Sequence, residues 1–204
     1  LKDLASRMKG RVQESGYAWQ EGNVADDDDP FTRNLRQDGF NLIGRTTTPE
    51  DGMAGVTETI KFGITRNPWS LDRSAGGSSG GSSAAVAAGI LPVCSASDGG
   101  GSIRLPASWN GLVGLKHTRG RLPLPAGLHE GLLPSGVEGI VTRSVRDTAA
   151  IHDLICHKPL GTGFMPYPKP ESLSAQLGVP PRKMRIALST GNWSRAETVP
   201  AEHI

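Results

Sequence analysis

Two short stretches rich in glycine and serine contain the residues best suited to nucleophilic chemistry. The first spans residues 76–83, and the second runs from Asp98 through three glycines to Ser102. A carbonyl group can approach closely to a serine that follows consecutive glycines, and backbone N–H groups there can converge on the carbonyl oxygen. This pattern predicts that Ser102 is a nucleophile. The predicted donors of the oxyanion hole are Gly99, Gly100 and Gly101.

The stretch 76–83 has two other interpretations. Its composition suits a flexible linker, although strong helix formers follow directly at residues 84–88. Residues 76–80 also satisfy G-x-S-x-G, the nucleophile elbow of α/β-hydrolases, with Ser78 at its centre. An elbow needs a buried strand before the serine and a histidine base, but residues 71–75 are polar. The histidines, none with a distinctive neighbourhood, are His117, His129, His152, His157 and His203.

Without a persuasive histidine, a lysine becomes a candidate base for the serine. Serine is inert unless a base takes its proton, and lysine can do so only as a neutral amine. Burial beside hydroxyl groups and away from acids would penalise the ammonium form and lower the pKa of such a lysine. A catalytic lysine is therefore expected inside the protein.

The sequence resembles the amidase signature family in a long, ordered set of motifs. These are residues 76–89, 98–107 and 111–116, supported upstream by residues 2–3, 44–50, 65–69 and 73–74. The resemblance runs from Lys2 to about Arg146. It departs from the family pattern at His117, where proline is common, and at Gly99, where threonine or isoleucine is usual. Residues 1–4 and 67–69 are most similar to the aminohexanoate cyclic dimer hydrolase branch of the family.

This resemblance implies a catalytic triad and a reaction. Lys2 would be the base, Ser78 a bridging serine held through a cis peptide bond, and Ser102 the nucleophile. The reaction implied is hydrolysis of a small-molecule carboxylic amide through an acyl-enzyme, with no metal or organic cofactor. The alternative is a non-catalytic or multisubunit amidotransferase-like subunit with the same fold.

Four further residues are expected to support the site rather than to react. Ser79 and Ser82 are predicted to bind the backbone of the turn and to cap the following helix. Asp98 and Arg104 are predicted to pair across the glycine loop and so to set its shape.

Local signals place these residues on an α/β framework. Asp29 can cap a helix that opens with Pro30 and stops at Gly39, and residues 40–43 are predicted to form a buried strand. That order is the second half of a βαβ unit. With the resemblance, it predicts a mixed, largely parallel sheet with helices on both faces, incomplete at both ends.

The remaining elements are predicted less directly. Short strands are expected at residues 90–95, 112–115 and 184–188, and a turn at residues 67–69. Ser144 is predicted to cap a helix that reaches Cys156 and carries Asp147 in its first turn. Residues 159–181 are rich in proline, glycine and serine, and are expected to be a surface connection.

Composition limits the classes of partner. The 204 residues are 36% hydrophobic and carry a formal net charge of +2, without a basic cluster for nucleic acid. The longest apolar run is too short to span a membrane, so a cytoplasmic location is expected. The two cysteines, Cys94 and Cys156, are expected to be free thiols. The chain is interpreted as the central part of one catalytic domain, truncated at both ends, and the full-length protein is expected to form a homodimer.

Overall fold

The computed structural model describes residues 1–124, 136–156 and 171–186. Three of the predicted features lie partly or wholly outside these ranges. They are the surface connection 159–181, the strand 184–188, and the histidines His129, His157 and His203. Of these residues, 171–181 are mostly exposed and 184–186 form no strand.

The described residues form short helices and short strands. The α-helices are α1 (Pro30–Gln37), α2 (Gly80–Ala87), α3 (Arg104–Trp109) and α4 (Val145–Ile155). The strands are β1 (Glu58–Thr59), β2 (Gly63–Ile64), β3 (Arg66–Asn67), β4 (Ser70–Ser74), β5 (Val93–Asp98), β6 (Val113–Gly114) and β7 (Val137–Thr142). Two short 3₁₀ turns span Glu50–Gly52 and Ser174–Gln176.

The central sheet has the order β5–β7–β6, with helices on both faces. Alternate side chains of β7 point to opposite faces, so Val141 packs with α2 and α3 while Ile140 packs with α1 and α4. The first face contains Val86, Cys94, Ala96, Ile103, Ala107, Val137 and Val141. The second contains Phe31, Leu35, Leu122, Ile140 and Ile155. The α/β class and the helices on both faces are confirmed.

The strand directions differ from the prediction of a largely parallel sheet. Both neighbours of β7 pair with it in antiparallel register, and β1–β2 and β3–β4 are antiparallel hairpins. Within the described ranges, the parallel pairing is an isolated bridge between Lys2 and Thr46. Local sequence predicts individual strands, but strand direction depends on partners distant in the chain.

The observed helix boundaries show where local sequence signals predicted a helix end correctly and where they did not. Helix α1 begins at Pro30 and ends before Gly39, but the Asp29 side chain does not cap it and instead binds Arg7. The Ser144 hydroxyl accepts the Asp147 N–H at 3.0 Å as the cap of α4. Helix α2 instead begins at Gly80, inside the serine-rich stretch, where residues 80–83 are all buried. The structure therefore excludes a flexible linker at residues 76–83.

The predicted strand at residues 40–43 is absent. Phe40 and Leu42 pack against the second core face as half-buried side chains, but Ile43 is 65% exposed. The apolar side chains of this segment pack against the core, but no strand of the described residues pairs with its backbone, so it does not form a strand. Residues 68–69 do form the expected turn, which joins β3 to β4.

Two general expectations can be compared directly with the described residues. Cys94 and Cys156 are both free, and Cys94 is buried. In the described part of the chain, no helix has the length and apolar character needed to cross a membrane.

Candidate functional site

A cavity of about 660 Å³ lies where the end of β5, the start of α2 and the loop after β5 meet. Ser78, Ser97 and Ser102 all line it, together with Gly99 and Gly100. The 3₁₀ turn Glu50–Gly52 and the residues after it form another wall. The cavity thus brings together the serines of both glycine-rich stretches.

Lys2 is fully buried beneath this cavity, as the sequence predicts for a lysine base. Its Nζ donates to the Ser78 hydroxyl at 2.7 Å and to the Ser97 hydroxyl at 2.8 Å. Its backbone N–H donates to the Ser95 hydroxyl at 2.7 Å. Because Ser95 and Ser97 lie on the same face of β5, this strand holds both the backbone and the side chain of Lys2.

Burial changes the protonation of Lys2. Removal from water lowers the pKa of its amine from 10.5 to about 7, although the nearby carboxyl groups of Glu138 and Asp98 oppose this shift. A lysine with such a pKa is substantially neutral at physiological pH, which a general base requires.

The same shift predicts a dependence of stability on pH. Between about pH 7 and 10.5 the unfolded chain holds the Lys2 proton and the folded chain does not. The unfolded state then binds more protons, so the free energy of unfolding contributed by Lys2 rises with pH across this window. It is fully present above pH 10.5 and is lost as the pH falls to about 7.

Urea unfolding of wild type and Lys2→Met at several pH values would measure this contribution. We expect the unfolding free energy of wild type to increase relative to that of Lys2→Met as the pH rises from about 7 to 10.5. Identical pH slopes for the two proteins would show that Lys2 is not neutralised by folding.

Ser78 is positioned by its backbone. The Gly77–Ser78 peptide bond is cis, as the resemblance implies, and the Ser78 carbonyl accepts the Thr48 hydroxyl at 3.0 Å. A Cβ on Gly77 would lie 2.7 Å from the carbonyl oxygen of Ala54, so only glycine fits here. The Ser78 side chain is thereby fixed over Lys2.

The loop that carries Ser102 is organised by Asp98. This carboxylate accepts the Gly101 N–H at 2.7 Å and the Ile103 N–H at 3.1 Å, and pairs with the Arg104 guanidinium through two contacts of 3.0 Å. Burial raises the pKa of Asp98, but Arg104 and these N–H groups outweigh burial and hold the pKa below its usual value. The predicted pairing of Asp98 with Arg104 is confirmed.

Asp98 also changes the predicted set of oxyanion donors. The Gly101 N–H already donates to the Asp98 carboxylate. A donor committed in this way cannot also bind a developing oxyanion at full strength. Sequence alone could not separate Gly101 from Gly99 and Gly100, which line the cavity.

Ser102 is half-buried and lies on the cavity wall, but no hydrogen bond joins its hydroxyl to Ser78 or Lys2. Its carbonyl accepts the Ser79 N–H at 3.3 Å, which links the loop to the start of α2. The structure therefore brings Lys2 and Ser78 into contact and places Ser102 in the same cavity without completing the chain of hydrogen bonds.

Ser79 and Ser82 support the site differently from the prediction. The Ser79 hydroxyl contacts the backbone N–H and carbonyl of Ser97, each at 3.3 Å. The Ser82 hydroxyl donates to the Ser95 carbonyl at 2.7 Å. Both side chains therefore tie α2 to β5, and neither caps the helix.

Comparison with known proteins agrees with the sequence motifs. The amidase family profile matches residues 1–200. The chain belongs to the amidase family. It is 41% identical over 198 residues to the 6-aminohexanoate-cyclic-dimer hydrolase of Paenarthrobacter ureafaciens, covering 94% of this chain and 40% of that protein.

Solved structures of family members share the fold. A structure of 6-aminohexanoate cyclic dimer hydrolase aligns with a TM-score of 0.80 and 40% identity, covering 90% of this chain and 39% of that one. One subunit of the glutamyl-tRNA(Gln) amidotransferase from Thermotoga maritima aligns with a TM-score of 0.67 and 34% identity, covering 77% and 34%. The chain thus spans about two fifths of the length of the hydrolase relatives.

Within this amidase-family site, two residues were missed by sequence reasoning. Ser97 binds the Lys2 amine, and Glu138 is a buried carboxyl on the cavity wall. Strand alternation places Ser97 on the same face of β5 as Ser95, but the predicted strand ended at residue 95 and so did not include Ser97. Glu138 carried no local signal because it enters the site through the pairing of β7 with β5.

The histidines among the described residues do not supply a base for Ser78. His117 contacts the carbonyl oxygens of Thr118 and Glu138, and His152 contacts the Cys156 thiol. Strand β4 does precede the serine, but its side chains are largely exposed. The described residues therefore lack the buried strand and the histidine that a nucleophile elbow needs.

Proposed function

We propose that the protein containing this chain hydrolyses a carboxylic amide C–N bond through a Ser-Ser-Lys triad and an acyl-enzyme. The observation that carries the proposal is the 2.7 Å contact between the buried Lys2 amine and the Ser78 hydroxyl, in a cavity that Ser102 also lines. A buried lysine in contact with a serine and without an ion-pair partner among the described residues is poorly suited to a purely structural role.

The first half of the reaction forms an ester with Ser102. Neutral Lys2 accepts the Ser78 proton while Ser78 accepts the Ser102 proton, and the Ser102 oxygen attacks the amide carbonyl. The resulting oxyanion is held by backbone N–H groups of the glycine loop, for which we assign Gly99 and Gly100, the two predicted donors that line the cavity. The Lys2 proton then returns through Ser78 to the leaving amine, and the C–N bond breaks.

The second half repeats these steps with water. Water loses a proton through Ser78 to Lys2 and attacks the acyl carbon, which releases the carboxylic acid and restores the Ser102 hydroxyl. The Ser102 hydroxyl makes no hydrogen bond to Ser78 in the structure. Catalytic hydrogen bonds of this kind commonly form only once substrate is bound.

The competing function is that of a non-catalytic or amidotransferase-like subunit, such as the Thermotoga maritima protein named above. Burial of Lys2 in contact with the Ser78 hydroxyl favours an enzyme, since a non-catalytic scaffold does not need a buried amine beside that serine. Hydrolysis by the purified protein alone, without partner subunits, separates the two. A cytoplasmic location, a single catalytic domain and a homodimer belong to the proposal as expectations from sequence.

An acyl-enzyme can be tested through the fate of its acyl group. A primary amide and a p-nitroanilide with the same acyl group are hydrolysed in the presence of hydroxylamine. If both form one acyl-enzyme on Ser102, the ratio of hydroxamate to carboxylic acid is the same for the two substrates. A ratio that depends on the leaving amine would show that water attacks the amide directly.

A further inference from the structure

Glu138 is a carboxyl group buried beside the proposed base. It lies on β7 directly opposite Ser97 of β5, whose hydroxyl binds Lys2. Its side chain is 1% exposed and forms part of the cavity wall that includes Ser78 and Ser102. The proposed mechanism gives Glu138 no role, although an acidic side chain is almost never fully buried unless it is paired.

The contacts of Glu138 do not suit a carboxylate. Among the described residues, Oε1 has no hydrogen-bond partner, and Oε2 accepts one long bond of 3.4 Å from the Ser6 hydroxyl. No lysine or arginine of these residues lies within ion-pair distance. An ionised carboxyl group with so few donors would keep most of its desolvation cost, whereas a neutral acid would not.

The contacts of Lys2 do not suit an ammonium group either. An ammonium has three N–H donors, but within the described chain the Nζ atom has the acceptors Ser78 and Ser97. Glu138 is close enough to act on Lys2 electrostatically but is not in contact with it. The hydrogen-bond partners of Glu138 and of Lys2 therefore favour an uncharged acid beside an uncharged amine over an ion pair.

The other charged groups near Glu138 either disfavour its ionised form or are held in ion pairs of their own. Asp29 adds negative potential but is held by Arg7 at 3.0 Å, and Asp98 is held by Arg104. His117 contacts the Glu138 backbone carbonyl. Burial raises the pKa of Glu138 well above its ordinary value, with Lys2 opposing and Asp29 reinforcing this shift.

We propose that Glu138 is a positioning residue that acts as an uncharged acid, keeping Lys2 an uncharged amine and keeping negative charge away from the oxyanion at Ser102. This inference rests on the proposed function of Lys2 and Ser102. Ionised Glu138 would stabilise the ammonium form of Lys2 and would repel the oxyanion in the same cavity. Ionisation of Glu138 therefore sets the alkaline limit of activity, and ionisation of Lys2 sets the acid limit.

The pH profile of kcat/KM in Glu138→Gln tests this role in the full-length protein. Glutamine has the size of the neutral acid but cannot ionise. We expect the acid limb to move by less than about half a pH unit and the alkaline limb to move up by about one unit or more. The matched control is Glu58→Gln, which makes the same change at an exposed glutamate outside the cavity and should leave both limbs in place.

If Glu138 were ionised and paired with Lys2, the result would be different. The acid limb of Glu138→Gln would then move down by about one pH unit or more, because the charge that favours the ammonium would be gone. That outcome would overturn the proposal. So would an unchanged alkaline limb.

Infrared spectroscopy gives a readout that does not depend on activity. Near pH 7, wild type should show the carbonyl stretch of a protonated carboxyl group that is absent in Glu138→Gln. If that variant does not fold, Ser6→Ala serves instead, because losing the bond to Oε2 should shift the band. If wild type lacks this band, or if the band does not shift in Ser6→Ala, the proposal is overturned. If the band is present but the protein does not hydrolyse amides, only the proposed function is rejected.

Discussion

Lys2→Met is expected to lower kcat/KM for amide hydrolysis by roughly a thousandfold or more. Methionine fills the buried position with a flexible apolar side chain but cannot accept the proton that Ser78 takes from Ser102. General base catalysis contributes about 10²- to 10⁴-fold, and a serine without a base is a poor nucleophile. Steady-state kinetics on a small acyl amide, with circular dichroism to verify folding, would measure the loss.

The matched control for this prediction is Lys9→Met. Lys9 is exposed and lies outside the cavity, so its replacement should leave kcat/KM within about twofold of wild type. If a folded Lys2→Met protein kept more than about a tenth of wild-type activity, Lys2 would not be the base.

Ser102→Ala is expected to lower kcat by roughly 10⁴-fold or more, the second large effect. Removal of the nucleophile from a serine hydrolase leaves only the catalysis that comes from binding and from the oxyanion hole. The loop should keep its shape, because Asp98 holds it through Gly101, Ile103 and Arg104 rather than through the Ser102 hydroxyl. Substrate affinity should therefore be nearly unchanged, which separates loss of chemistry from loss of the site.

Ser108→Ala is the control for Ser102→Ala. Ser108 is exposed on α3, six residues along the same segment, and its replacement should be neutral. Retention of turnover by Ser102→Ala, together with its loss in Ser78→Ala, would make Ser78 the nucleophile and would overturn the assigned roles.

Sequence reasoning succeeded where the signal was local or where the motifs were dense. Pro30 and Gly39 bound α1, and Ser144 with Asp147 caps α4, because helix ends are set by hydrogen bonds within one turn. The motifs also predicted that Lys2 is buried and that the bond before Ser78 is cis. Both features follow from motifs that can be recognised in the sequence.

The features that the sequence did not predict depend on contacts between distant parts of the chain. Strand β7 pairs antiparallel with both β5 and β6, and that pairing places Glu138 opposite Ser97. Residues 40–43 have the pattern of a strand but find no partner among the described residues. The commitment of the Gly101 N–H to Asp98 likewise appears only in three dimensions, since three consecutive glycines look equivalent in sequence.

The measurement that tests the central claim most directly is covalent labelling of the full-length protein with a fluorophosphonate, followed by peptide mass spectrometry. The probe reacts with a serine whose proton has been taken by a base. We predict label on Ser102 in wild type and none in Lys2→Met. Label on Ser78, or label on Ser102 that persists at the same rate without Lys2, would contradict the proposed triad.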